Sequence, residues 1–267
     1  MTASTGPAGA PAGGPSVGLY LTEPARGLAS LAHLPLAAPW LASAPRGDGH
    51  GVLVLPGFMA SDHSTAVLRR FVRRLGYQVT GWNLGRNRGP TPEVIAGLPV
   101  QLADLAGRSG GPVSLIGWSL GGIFARQLAR RRPDQVRQVI TLGSPFALTD
   151  ARQTRAGAAY RRREHLHAPG TERRRELLAE PLPVPSTALF SRHDGIVAWQ
   201  ACVAPESDSA SEPALKPHEN IEVRCAHLGF GTDPATLWAV ADRLAVPPAE
   251  WRPFQPPPAL RSLYPGR

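Results

Sequence analysis

The sequence predicts an α/β fold: a doubly wound, mostly parallel sheet with a helical cap or lid insertion. Three observations predict it. From Gly51 to Leu142, short apolar β-branched runs alternate with segments whose apolar residues recur at helical spacing. That alternation is the pattern of a parallel sheet covered on both faces. It breaks over residues 148–183, which hold clustered arginines and no convincing strand, and then resumes with two more strand-like runs. Finally, 267 residues are enough to bury a sizeable core, and one domain is the expected division. The expected organisation is a disordered tail over 1–16, the main domain over 17–246 with the cap at 148–183, and a Pro-rich tail over 247–267 lying extended on the surface.

The elements follow in order. Val17 to Ala44 is rich in Leu and Ala and reads in part as a helix over the sheet, broken at Pro35 and Pro39. Gly51 to Leu55 is apolar on both faces and stopped by Pro56-Gly57, so it reads as a buried strand. Asp62 is a candidate cap for the next helix, whose Val67, Leu68, Phe71, Val72 and Leu75 share a face and which Gly76 ends. Tyr77 to Trp82 is the second strand, Gly85 to Pro92 a loop, and Pro92 to Gly107 a helix. Val113 to Trp118 reads as a strand, Ile123 to Arg132 as a helix, and Val136 to Leu142 as a strand. In the cap, Ala151–Arg163 and Thr171–Ala179 are short helical candidates; the plain alternative is a solvated hairpin with no gating role. Ser186 to Phe190 and Asn220 to Arg224 are the last strands, Ala204 to His218 is a polar loop that includes His218, and Pro234 to Leu244 is the closing helix.

The chemistry centres on Gly117-Trp118-Ser119-Leu120-Gly121-Gly122, a Gly-x-Ser-x-Gly run between a strand and a helix. A serine on so tight a strand-to-helix turn sits at strained backbone angles, and bulky residues two before and two after would collide with it. The alternative is a Gly-rich loop binding phosphate at a helix start, but no lysine follows, as a P-loop requires. A serine hydroxyl needs a base, and the base needs an acid to hold its tautomer. Asp194 follows the strand ending at Phe190, and His227 follows the strand ending at Arg224. Both would lie on the same rim as Ser119, in the chain order serine, acid, histidine. Asp194 binding only backbone amides in a turn, and His227 as a structural histidine, are the plainer readings.

An oxyanion needs fixed N–H donors. The Leu120 amide is one candidate and the Phe58 amide the other, with Met59 next. Phe58, Met59, Trp118, Phe146 and Leu228 are candidates for an apolar pocket wall, which would favour acyl esters over charged ones; the alternative is core packing.

These residues resemble the α/β-hydrolase superfamily in its serine esterase and lipase branch. The likeness runs from about Gly51 to Leu244. It is carried by Leu55-Pro56-Gly57-Phe58, Gly117 to Gly122, Leu142-Gly143-Ser144-Pro145, Asp194-Gly195-Ile196-Val197 and His227. Many relatives carry His-Gly where this chain has Pro56-Gly57; the backbone donor is untouched. The resemblance implies cleavage of carboxylic esters through an acyl-serine on a Ser119–His227–Asp194 triad, without specifying a substrate, and it implies that 148–183 is a cap. An acyltransferase or thioesterase would use the same machinery, and a silent binding module would not need all three residues.

Net charge is +9, nearly all from arginine, since Lys216 is the only lysine. With 28 Gly and 29 Pro alongside, this is a compositional habit, and no nucleic-acid-binding motif accompanies it. Expected partners are a small-molecule or lipid ester and no nucleic acid, with peripheral contact at an anionic lipid surface left open. No cofactor is expected, and no metal, because the cysteines and histidines lack zinc-ligand spacing. Met1 to Ser16 has neither the basic start nor the apolar core of a signal peptide, so a cytoplasmic protein is expected, with non-standard export left open. Cys202 and Cys225 make no disulfide framework, though one bridge between them would be sterically conceivable.

Overall fold

In the computed structural model, which describes residues 13–170, 180–205 and 216–267, six strands form one sheet. They are β1 (Gly51–Leu55), β2 (Gln78–Gly81), β3 (Val113–Trp118), β4 (Val136–Leu142), β5 (Ser186–Phe190) and β6 (His218–Glu222). Their spatial order is β2-β1-β3-β4-β5-β6, and every pairing is parallel. The helices are α1 (Val17–Ala32), α2 (Leu34–Leu41), α3 (Ala66–Arg74), α4 (Pro92–Ser109), α5 (Leu120–Arg131), α6 (Gly157–Arg161) and α7 (Pro234–Ala245).

Strand β1 is buried at every residue, as a two-faced apolar run requires. Its two faces feed two cores. Val52 and Val54 join α2, α3 and α7 through Leu41, Leu68, Val72 and Val240. Leu53 and Leu55 join α4 and α5 through Leu98, Leu102, Phe124 and Leu128. The chain moves outward from β1 to β2 and then crosses back to β3. The carboxyl ends of β1 and β3 therefore flank the point where strand order reverses, the usual place for a ligand in such a sheet.

Five expectations need correction. Pro35 and Pro39 do not break the N-terminal helix; the break is at His33, and Pro35 occupies the first turn of α2, where its missing N–H costs nothing. Asp62 does not cap α3. Its carboxylate takes the Trp82 and Asn83 N–H groups, each at 3.0 Å, and so holds the end of β2. Strand β6 starts at His218 and ends at Glu222, earlier than expected, where its backbone pairs with Ser186 to Phe190 of β5; its Glu219 is buried against Arg243 at 2.7 Å. The C-terminal segment is not laid out on the surface. Phe254 and Tyr264 are each 1% exposed in the α7 core, and the Tyr264 hydroxyl donates to the Ala235 carbonyl at 2.8 Å. At the other end Ser16, expected in the tail, caps α1 by accepting the Leu19 N–H at 3.2 Å.

The cap candidate Ala151–Arg163 resolves into a short turn over Ala151–Gln153 and the five-residue α6. Thr171–Ala179 lies outside the described residues, as do residues 1–12. Cys202 and Cys225 are both free and buried, and burial pushes their thiols up. No helix among the described residues is long and apolar enough to cross a membrane.

Candidate active site

Strand β3 ends at Trp118, and Ser119 turns the chain directly into α5. Its backbone sits at φ 53° and ψ −122°. Such a conformation in a residue with a Cβ costs on the order of 1–3 kcal/mol and persists only when the surroundings enforce it. Here the Ser119 N–H donates to the Leu142 carbonyl at 2.8 Å, while the Ser119 carbonyl accepts the Gly122 N–H at 3.0 Å and the Ser144 hydroxyl. The flanking glycines are steric requirements. A Cβ on Gly117 would collide with the Gly122 backbone, and one on Gly121 would collide with the Leu55 carbonyl oxygen. The turn is thus wedged between β1 and α5.

Beside it runs the loop after β1. A Cβ built on Gly57 would lie 3.2 Å from the Ser119 Cβ, which puts this backbone against the serine. Asn87, with no exposed surface, braces the loop: its Nδ2 donates to the Pro56 carbonyl at 2.8 Å, and its own carbonyl accepts the Met59 N–H at 2.7 Å. The Met59 amide is therefore engaged. No acceptor among the described residues takes the Phe58 N–H. Leu120 is the first residue of α5, so its N–H is one of the unpartnered donors at a helix start.

On the far side of β3, Asp194 and His227 meet as expected. Asp194 Oδ2 lies 2.6 Å from His227 Nδ1, with the two side chains 2% and 4% exposed. The other Asp194 oxygen accepts the Ile196 and Val197 N–H groups at 2.8 and 2.7 Å. Asp194 thus binds backbone amides in its turn and also meets His227. An ionised carboxylate only accepts, so Nδ1 carries the proton and Nε2 keeps its lone pair. Burial alone would lower the imidazole pKa, but the Asp194 charge and hydrogen bond, with the Glu23 charge, outweigh it and raise it above the ordinary 6.5. The Trp118 indole N–H donates to the His227 carbonyl at 3.1 Å, and the two rings are 5.7 Å apart, so the residue next to Ser119 touches the histidine. No hydrogen bond joins Ser119 Oγ to His227 among the described residues. Such bonds are often long before substrate binds.

A cavity of about 240 Å³ opens at Ser119. Phe58 and Leu120 border the serine there, and Leu98, Ile123, Phe124 and Tyr160 make much of the apolar wall. Tyr160 of α6 meets the Phe58 ring edge-on at 5.5 Å, so the 148–183 segment forms part of this wall. Of the five expected wall residues, Phe58 lines the cavity, and Met59, Trp118, Phe146 and Leu228 do not. The Met59 N–H is taken by the Asn87 carbonyl, and Trp118 lies on the histidine side. Phe146 is 1% exposed beneath the Arg126 guanidinium, 4.0 Å from its ring centre, and Leu228 is 43% exposed. Sequence reasoning missed Asn87 and also Glu23, a buried carboxylate of α1. Glu23 had one visible cue: it is the only acid between Val17 and Ala44. Among the described residues no group of three or more His, Cys, Asp or Glu is disposed to hold a metal ion.

No protein-family model matches the sequence, and no curated protein matches it. Solved structures do match. The chain is similar to Aspergillus fumigatus lipase B at a TM-score of 0.58 and 19% identity, covering 79% of this chain and 57% of that one. It is similar to a structure of the metagenome-derived lipolytic enzymes LipS and LipT, at a TM-score of 0.52 and 16% identity over 75% and 93% of the two chains. It is also similar to the thioesterase domain of the curacin biosynthetic pathway, at 0.52 and 14% identity over 74% and 92%. With the parallel sheet, the strained Ser119 turn and the rim of strand ends, these similarities define the fold as that of the α/β-hydrolases.

Proposed function

We propose that this chain is a serine hydrolase of carboxylic esters, with Ser119 as nucleophile, His227 as base and Asp194 as the acid behind it. The observation that carries the reading is the 2.6 Å Asp194–His227 pair on the same rim as a serine held at φ 53°. Ser119 Oγ attacks the ester carbonyl carbon as His227 Nε2 takes its proton. The oxyanion that forms accepts from the Phe58 and Leu120 N–H groups. Collapse expels the alcohol, which receives the proton from His227. Water then repeats the sequence on the acyl-serine and releases the acid. The cavity, at about 240 Å³, exceeds the about 150 Å³ that holds one benzene ring, and its apolar wall suits an uncharged acyl chain of small-molecule or lipid origin.

The test is Ser119→Ala assayed on p-nitrophenyl esters of graded acyl length, alongside labelling of the native protein by a fluorophosphonate. Loss of turnover with an intact fold, and labelling at Ser119, is the expected result. Wild-type turnover by the variant, or labelling at Ser144 instead, would sink the assignment. The likeness to a thioesterase domain favours a second reading in which the same acyl-serine is loaded from a thioester or passed to an alcohol. Product analysis with a thioester donor and with added alcohol separates the two.

A further inference from the structure

Helix α1 lies across the two loops that carry the acid and the histidine. A Cβ on Gly195 would fall 2.5 Å from the Leu19 carbonyl, and one on Gly27 would fall 2.9 Å from the Leu228 Cβ, so the helix backbone is pressed against both loops. At the seam sits Glu23, 2% exposed. Its Oε1 accepts the Gly195 N–H at 2.6 Å and the His227 N–H at 3.0 Å, and its Oε2 accepts the Leu228 N–H at 3.0 Å. Gly195 follows Asp194 directly. One carboxylate therefore ties the backbone beside the acid to the backbone of the histidine itself. Arg26 stands behind it, donating to Glu23 Oε1 at 3.1 Å and to the His193 carbonyl at 2.7 Å.

A buried carboxylate without partners would be costly, and bonds to ionised acceptors are the strong ones. Three N–H groups and a guanidinium on a single carboxylate make a rigid joint. Besides the Asp194–His227 bond, the Ser191 hydroxyl links the two loops by donating to the Cys225 carbonyl at 2.6 Å.

We propose that Glu23 is a positioning residue that holds the Asp194 loop and the His227 loop at the spacing their hydrogen bond requires. This rests on the reading of Asp194 and His227 as acid and base. Glu23 does not line the cavity and touches no reacting atom; it acts through the two backbones it joins. Its charge also faces the imidazole. The ionisable groups around His227 are Asp194 from the loop after β5, Glu23 with Arg26 behind it from α1, the buried thiols Cys202 and Cys225, and Asp233 at the start of α7 beyond Cys225. The thiols stay neutral because burial pushes them up, so the charged neighbours are the carboxylates and Arg26.

The experiment compares the native protein with Glu23→Gln and Arg26→Met by ester kinetics across pH and by NMR titration of the His227 ring, which needs no turnover. A glutamine has one acceptor oxygen, so its amide NH₂ must oppose at least one of the three N–H groups. In Glu23→Gln we expect kcat to fall by about 10- to 100-fold, the scale of a misplaced catalytic group. KM should stay within about twofold because the cavity is untouched. The His227 titration should move to lower pH, since a negative charge is gone. In Arg26→Met it should move to higher pH, since a positive charge is gone. A Glu23→Gln protein with native kcat and an unmoved titration overturns the proposal, as do two variants that shift the same way. Should Glu23→Gln not fold, Arg26→Met decides: an upward shift supports the role and no shift refutes it. If the native protein turns over no ester, the ring titrations still test the joint while the esterase reading alone fails.

Discussion

Replacing Asp194 with asparagine tests the site at its most constrained atom. The side chain has two fixed tasks. One oxygen accepts two backbone N–H groups at 2.8 and 2.7 Å, and the other faces His227 Nδ1 at 2.6 Å. Asparagine has only one oxygen, and the pair of N–H groups claims it. The NH₂ must then point at His227 Nδ1, which can meet it only as an acceptor. That forces the imidazole proton onto Nε2, the atom that should take the serine's proton. The base is thereby lost while the loop keeps its turn bonds. A wrong-tautomer histidine costs on the order of 10⁴-fold in kcat, which corresponds to roughly 5 kcal/mol of barrier. The assay is single-turnover acylation with a p-nitrophenyl ester at pH 8, with a thermal melt as the control for folding. An Asp194→Asn protein that acylates within tenfold of the native rate would refute the argument, because no other acid contacts Nδ1 among the described residues.

Two further outcomes follow from the same geometry and the same core. The base works only when neutral, and its pKa is raised, so kcat/KM should fall toward acid with a midpoint above 6.5; a flat profile or a lower midpoint in rate measurements over pH 5 to 9 would contradict the Asp194 pairing. By linkage, the pair's contribution to folding stability is full below the free imidazole value and lost as pH rises through the folded one. In the C-terminal segment, Phe254→Ala should destabilise the fold by about 3–5 kcal/mol in chemical denaturation, with little change in kcat. A cost below about 1 kcal/mol would mean that the segment is not part of the core.

The sheet and the candidate reacting groups were readable in the sequence because they obey local rules. Strands buried on two faces are apolar runs, and the glycines around Ser119 are demanded by sterics within five residues. Asp194 and His227 could be placed because a parallel sheet puts all strand ends on one rim. What stayed hidden depends on where remote backbone ends up. Glu23 is bonded to amides 172 to 205 residues away, and in isolation it is one acid in an alanine- and leucine-rich helix. Asp62 looked like a cap because a cap is the local use of an aspartate there; its partners proved to be Trp82 and Asn83. The pocket wall failed for a similar reason. Proximity to Ser119 in sequence picked Trp118, whose side chain leaves on the histidine side, whereas Leu98 and Tyr160 come from distant elements. In the C-terminal segment the prolines suggested a solvated strap, and the energy of burying Phe254 and Tyr264 prevailed.

The seam under α1 has a practical side. The leading helix is the part of a chain most readily trimmed when a shorter expression product is made, and here it contributes no strand. A product starting after Ala44 would keep all six strands and the elbow serine. It would lack the brace that ties the acid to the imidazole. It would also lose Ala37 and Leu41 of α2 from the core, so solubility alone would be a poor guide to whether a shortened product keeps the Asp194–His227 geometry.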